Sequence, residues 1–291
     1  MEDRSAIEAF TRRFDPYSDF CFSTLILYDG DQHTRWCWLN GNLVLYLNDG
    51  FGPGAYLTFL GCEKVAVTAR VLIDYALHMD CAPVLRRVPE LVALTIHRES
   101  DAFDVEEDRD CFDYVYHLGS LVGLEGAGHS DTRRGVSQFK RRHPNHRFVA
   151  LDLCDLAVHA QLRTAMSVWQ LNKGEAVTVK NYRRALENCL SNPHYFELIT
   201  LGVVVGDSLA GFAVTERIKN DWLLSHFAAA NPDFTGLSAS LFHHLAKHGP
   251  KLGCTHLNYQ EDVGDLGLRR FKMKWAPSGF LRKFSVTSKE G

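Results

Sequence analysis

The sequence contains no apolar run approaching the roughly 20 residues that a membrane-spanning helix needs. Residues 1–13, MEDRSAIEAFTRR, are amphipathic and charged and lack the apolar centre of a signal peptide, so a cytoplasmic protein without an integral membrane segment is expected. Paired cysteines are also missing. The eight thiols, Cys21, Cys37, Cys62, Cys81, Cys111, Cys154, Cys189 and Cys254, are scattered without a C-x-x-C and mostly among apolar neighbours. That pattern argues against a zinc site or a disulfide framework and for reduced, buried cysteines. Nor is either sign of charge in excess: the net charge of −3 exerts no global pull toward nucleic acid, and only local clustering of cations would create such a site. What is present is 46% hydrophobic and 11% aromatic residues over 291 positions, enough for a sizeable core in one large domain or two lobes.

Between Phe20 and Leu60 apolar and polar residues alternate around the turn signals Tyr28-Asp-Gly-Asp, Asn40-Gly-Asn and Asn48-Asp-Gly, which predicts an antiparallel meander after a first helix. The spacing predicts an amphipathic helix from Glu63 to His78 and a short strand from Leu91 to Ile96. Eight carboxylates follow between Glu99 and Asp113, expected as a solvated loop, with a metal site the lesser alternative. The next segment, GAGHSDTRRGVSQFKRRHP from Gly126 to Pro144, reads as glycines and then a helix carrying Arg133, Arg134, Lys140, Arg141 and Arg142. No acid falls between Thr132 and Ala150. A near-neutral chain can in this way present a positive face suited to a phosphate backbone, or merely a solvated helix.

Helical spacing returns over Leu156 to Leu171 and Asn181 to Leu190. Phe196 to Arg217 predicts two strands joined at Gly206-Asp207, and Trp222 to Ala229 a third. A loop and helix over Asn231 to Gly249, a strand at Thr255 to Tyr259 and another at Lys283 to Thr287 complete an α+β order. Over roughly 130 residues this order resembles the acetyltransferase (GNAT) fold. The expectation is a tandem pair of GNAT-like lobes with mixed sheets flanked by helices: a degenerate one over 1–150 and a clearer one over 151–291.

Acyl-CoA enzymes of that fold need a Q/R-x-x-G-x-G/A loop at a helix start, where backbone N–H groups cradle pyrophosphate. Here the position reads Asp233-Phe-Thr-Gly236-Leu-Ser238, with a carboxylate where a basic residue belongs. Coenzyme A is disfavoured. The pair Gly126 and Gly128 imitates such a loop weakly, since its basic position falls on Gly123.

The densest polar cluster is Asn258 to Pro277, NYQEDVGDLGLRRFKMKWAP, just after a predicted strand. Glu261, Asp262 and Asp265 followed by Arg269, Arg270, Lys272 and Lys274 offer general-base and phosphate-binding groups, or a salt-bridged surface turn. This passage resembles the C-terminal domain of phosphatidylglycerol lysyltransferases, tandem-GNAT relatives of the Fem aminoacyltransferases. The family reads approximately I-N-R-E-D-D-x-G-x-x-G-L-R-K-x-K-x-x-x-x-P, and this chain keeps Asn258, Glu261, Asp262, Gly264, Gly267, Leu268, Arg269, Arg270, Lys272 and Pro277. Two further passages are similar: Gly126, Arg133 and Phe139 match one, and His226, Ala230 and Gly236 match the pattern H-x-E-K-A-x-x-x-x-x-G. In the latter, Ala228 and Ala229 replace glutamate and lysine, implying a different substrate or lost activity.

The resemblance implies transfer of an amino acid from a charged tRNA to a hydroxyl or amine acceptor that the sequence does not identify, without metal or other cofactor. It implies that Arg269, Arg270 and Lys272 bind the tRNA 3′ end or stabilise negative charge, while Glu261, Asp262 or His226 orients the amine or accepts a proton. Arg133, Arg134, Lys140, Arg141, Asn258 and Lys274 are candidate substrate or tRNA contacts. Trp222, Tyr259 and Trp275 are candidates to stack on the terminal adenine. The rival readings are an acyl-CoA-dependent N-acyltransferase and a non-catalytic binding protein of the same fold.

Overall fold

The computed structural model describes residues 3–30, 34–48, 54–79, 81–125, 127–173, 177–219 and 221–289; Gly126 of the glycine pair lies outside them. The chain divides into two compact units. One comprises Met1–Asp113, Glu261–Gly264 and Phe280–Gly291, the other Tyr114–Gln260 and Asp265–Gly279. The first stretch of the first unit ends at Asp113, and two later segments of the chain return to that unit.

The first unit begins with α1 (Arg4–Thr11) and α2 (Phe22–Leu27), then β1 (Arg35–Leu39), β2 (Asn42–Leu47), β3 (Tyr56–Leu60), α3 (Val65–Ala76), β4 (Val84–Pro89), α4 (Glu90–Glu99) and β5 (Phe103–Glu107). The last strand of the chain, β13 (Lys283–Ser288), inserts between β4 and β5 to give the order β1-β2-β3-β4-β13-β5. The expected meander is present as antiparallel β1, β2 and β3, and β4 joins β3 in parallel. Side chains alternate across the sheet with period two. Val44, Leu57 and Phe59 pack with Leu72, Ile73, Val92 and Ile96 of α3 and α4. Leu43, Leu45, Tyr56 and Leu60 pack on the opposite side with Ile7, Phe10, Phe22 and Leu25 of α1 and α2. Helices on both sides explain why β3 is buried along its whole length instead of alternating with water.

Two expectations for this half are corrected. Leu91 to Ile96 is not a strand but the interior of α4, whose buried side is Val92, Ala93 and Ile96. Short apolar runs do not distinguish the two periods; the end charges do, with Glu90 in the first turn and His97 and Arg98 in the last. The acidic stretch is not a solvated loop. It forms β5, a 3-10 turn at Arg109–Cys111 and the start of a further strand, and Asp113 is fully buried. Among the described residues, no three His, Cys, Asp or Glu side chains gather as a metal ion would require.

The second unit contains β6 (Asp113–His117, from Tyr114 on), α5 (Leu118–Gly123), α6 (Ser130–Arg142), β7 (Arg147–Leu151), α7 (Leu156–Lys173), α8 (Val177–Ser191), β8 (Leu198–Val205), β9 (Ser208–Lys219), β10 (Trp222–Ala230), α9 (Leu237–His248), β11 (His256–Asn258) and α10 (Leu266–Met273); β12 (Gly279–Leu281) begins at its last residue. Its strand order is β6-β11-β10-β9-β8-β7. All neighbours from β7 to β10 are antiparallel, whereas β10 and β11 run parallel and are connected through α9. Gly236 precedes α9 with φ 88°, and a Cβ there would lie 2.3 Å from the Gly135 carbonyl of α6. Only glycine permits both that backbone conformation and that approach. Phe148 of β7 stacks on His244 of α9 at 3.9 Å, and burial pushes the His244 imidazole down to about 4.

The cysteines are free thiols, but the expectation of burial holds for Cys111, Cys189 and Cys254 alone; Cys37, Cys62 and Cys154 are exposed. Apolar neighbours in sequence do not bury a residue when the element has one wet side. No helix among the described residues is long and apolar enough to cross a membrane.

Candidate active site

The parallel pairing of β10 with β11 covers only Trp222 to Leu224 against His256 to Asn258. Beyond Leu224, β10 has no parallel partner in that ladder, and its register against β9 shifts between Ser225 and Phe227. His226 occupies that irregularity, a place where a bulge re-aims a side chain. Beside it is a cavity of about 170 Å³. Its wall includes Ser225, His226, Ala228 and Ala230 from β10, Tyr259 and Gln260 after β11, and Leu268, Phe271 and Lys272 of α10.

His226 is buried, and its Nε2 lies 3.0 Å from Oε2 of Glu216, itself buried on β9. With a carboxylate at Nε2, the neutral ring carries its proton there, and Nδ1 becomes the acceptor nitrogen. Glu216 was not among the residues singled out from sequence. Its only signal is a carboxylate within the apolar strand pattern Ala213 to Glu216, ten residues before His226.

Lys272 is 2% exposed, and its Nζ donates to the carbonyls of Tyr259 at 2.5 Å and Gln260 at 3.0 Å. The same ammonium lies 5.0 Å from the Tyr259 ring centroid and 5.3 Å from that of Tyr114. It therefore fixes the turn after β11 and is not disposed toward solvent as a phosphate ligand would be. Burial raises the Tyr259 phenol above its ordinary value, so it stays protonated at neutral pH. Asn258 is also buried, and its Oδ1 accepts from Gln260 N at 2.8 Å. Asp265 caps α10, with Oδ1 accepting from Gly267 N at 2.7 Å and Leu268 N at 3.0 Å. On that helix Arg269 is half-buried, while Arg270 and Lys274 are exposed.

Glu261 and Asp262, adjacent in sequence to these groups, belong to the first unit. There Glu261 lies 3.3 Å from Arg87 and 3.7 Å from Lys283. Lys283 is completely buried, 2.8 Å from Asp113 and 2.5 Å from Asp19, and Arg87 bridges Asp19 at 2.8 Å. Burial raises the Asp113 carboxyl above its ordinary value. Burial opposes the Lys283 ammonium, but the surrounding carboxylates outweigh it and raise its pKa. Asp262 is fully buried and faces Arg109 at 3.5 Å. These carboxylates belong to an ion-pair cluster in which removing one partner would leave buried charge without its opposite.

The basic helix is a solvated one. Arg133, Arg134, Lys140 and Arg141 of α6 are exposed and do not line the cavity. The Arg133 guanidinium donates to the Leu124 carbonyl, and Lys140, Arg141 and Arg142 occupy the last turn, where the helix dipole favours cations. Of the aromatic candidates, Tyr259 lines the cavity. Trp222 stacks on His256 at 4.8 Å, and Trp275 is fully buried against Phe242, which removes it from any role in base stacking.

A two-stranded divergence filled by a small cavity, on a mixed sheet reached through a single crossover helix, is the architecture of an acetyltransferase-like lobe, and the chain has the α+β tandem GNAT-like fold. Residues 11–287 match the family described as phosphatidylglycerol lysyltransferase, C-terminal, and the chain belongs to that family of transferases. Among solved structures, a conserved protein of unknown function from Bacteroides thetaiotaomicron is 23% identical with a TM-score of 0.83, covering 99% of this chain and 97% of its own. L-PGS from Bacillus licheniformis is 12% identical at 0.65, covering 99% and 93%, and FemX is 10% identical at 0.61, covering 97% and 95%. A comparison with curated protein sequences finds no match.

Proposed function

We propose that this protein is an aminoacyl-tRNA-dependent aminoacyltransferase, moving an amino acid from the 3′ ester of a charged tRNA to a hydroxyl or amine acceptor in the cytoplasm. The observation that carries the reading is the His226–Glu216 pair on the wall of a cavity, in a chain whose family takes its name from a lysyl transfer. The acceptor O–H or N–H attacks the ester carbonyl, its proton passes to Nδ1 of His226, and the C–O bond to the ribose breaks. That proton then returns to the departing 3′-oxygen, so the tRNA leaves with a free hydroxyl. An ester is already activated, so positioning and proton transfer suffice.

The roles first divided among three acids and bases are therefore concentrated on His226, with Glu216 fixing its tautomer. Glu261 and Asp262 become structural, and Lys272 holds the turn carrying Tyr259 and Gln260. Arg269, Arg270 and Lys274 remain the cations placed to meet the negatively charged 3′ end, and the solvated side of α6 suits more distant phosphates. Asp233, exposed before α9, would repel the pyrophosphate of coenzyme A, which favours an ester donor over a thioester.

The test is transfer of radiolabel from charged tRNAs, one amino acid at a time, into an extract of the host's metabolites. An RNase-sensitive product that disappears in Arg269→Ala and in His226→Gln is expected. Measurable coenzyme A binding, with no product from any charged tRNA and folded protein, would replace this reading by the acyl-CoA one.

A further inference from the structure

The cavity beside His226 has a volume of about 170 Å³. An apolar protein cavity of roughly 150 Å³ accommodates one benzene, so the space suits one amino-acid side chain and is too small for a nucleotide. Its floor is made by small residues: Ala228 faces Ala213 across the β9–β10 ladder, and both line the cavity with Ala230. Aromatic residues form much of the rest. Trp169 and Tyr182 stack on each other at 5.7 Å and 16°, and Phe227 lies 5.9 Å from Tyr182.

The charges on this wall are of the wrong kind to receive a cation. Among the described lining residues Asp265 alone is a carboxylate, and its Oδ1 is already engaged by two backbone N–H groups as the cap of α10. Glu216 is held by His226. The other charged groups on the wall are Lys173 and Lys272, both of which repel an ammonium. A buried lysyl side chain would lose its hydration with only the α10 cap carboxylate, set against two wall ammonium groups, to replace it, and that loss exceeds what an aromatic face returns.

We infer that this cavity receives the side chain of the donor amino acid and selects an uncharged apolar or aromatic one, such as leucine or phenylalanine, over a cationic one. This rests on the aminoacyl-tRNA reading above. Selection then comes from desolvation and charge: burial of apolar area favours leucine or phenylalanine, while a cationic side chain surrenders water beside two wall ammonium groups.

The experiment charges one tRNA body in turn with phenylalanine, leucine, lysine and glutamate and measures binding of each to the full-length protein by filter retention, with the uncharged tRNA as reference. Phenylalanyl or leucyl forms are expected to bind at least about tenfold tighter than the lysyl form. Ala228→Glu should move preference toward the lysyl form by a similar factor, whereas the neutral Ala228→Gln should not; thermal melting establishes that both variants fold. A lysyl form binding as tightly as the phenylalanyl one would overturn the apolar pocket while leaving the transfer reading standing. No discrimination between charged and uncharged tRNA with any of the four amino acids would overturn both.

Discussion

The two units each bury an acid beside a base, with different results. In the first, Asp19, Asp113 and Glu261 surround Arg87 and Lys283, and every charge has opposite charges within ion-pair distance. In the second, Glu216 meets His226, and His226 borders open space. Three carboxylates held by two cations make a lock, whereas an imidazole with one side left to a cavity is open to a substrate. The contrast also divides the Asn258 to Pro277 passage, whose Glu261–Gly264 belongs to the lock and whose flanks belong to the cavity unit.

Substitutions should separate the two. His226→Gln keeps a donor for Glu216 and removes the imidazole base; transfer should fall by about 10²–10⁴ with the melting temperature little changed. Transfer at the wild-type rate in this variant would place the chemistry elsewhere. Lys283→Ala should do the reverse, costing about 3–5 kcal/mol of stability in urea unfolding because it strands buried carboxylates. An unchanged midpoint would mean that the cluster contributes no net stability. Glu261→Gln should cost about 1–3 kcal/mol while transfer per folded molecule is retained, and a loss of transfer as deep as that of His226→Gln would return Glu261 to the catalytic set.

The pH response should differ as well. His244 has its pKa pushed down to about 4 by burial, so its contribution to stability is present above the ordinary value of 6.5 and is lost as pH falls through the folded value. Acid melting of the second unit should therefore be delayed in His244→Leu. Lys283 has a raised pKa, so its contribution is complete below the ordinary 10.5 and is lost only as pH rises beyond that. The smallest effect is expected on α6: Arg134→Ala combined with Lys140→Ala should leave stability within about 0.5 kcal/mol and lower the salt dependence of tRNA binding by up to about two units of slope. An unchanged slope would make α6 a solvated surface and nothing more.

Much of the second unit was legible in sequence. The period-two run through Gly206-Asp207 became β8 and β9, and the helical spacing at Leu156 became α7, because long elements repeat their pattern often enough to declare a period. The first half was less legible: Leu91 to Ile96 is too short to choose between helix and strand, and its neighbours in space decided. Of the candidate site, His226 is legible through its place in a family pattern, whereas Glu216 gives little signal because one acid in an apolar strand has no partner until the strands are paired.

By itself the sequence determined the α+β order, the family and the residue types available for chemistry, since these depend on local periodicity and on a motif read along one stretch of chain. Only the tertiary structure decided which charges compensate each other. Glu261 and Gln260 are adjacent in sequence and fall in different units, and Lys283 reaches Asp19 across most of the chain. Desolvation and ion pairing depend on three-dimensional neighbours, so whether a carboxylate is a lock or a catalyst is settled by what the fold brings within a few ångströms of it.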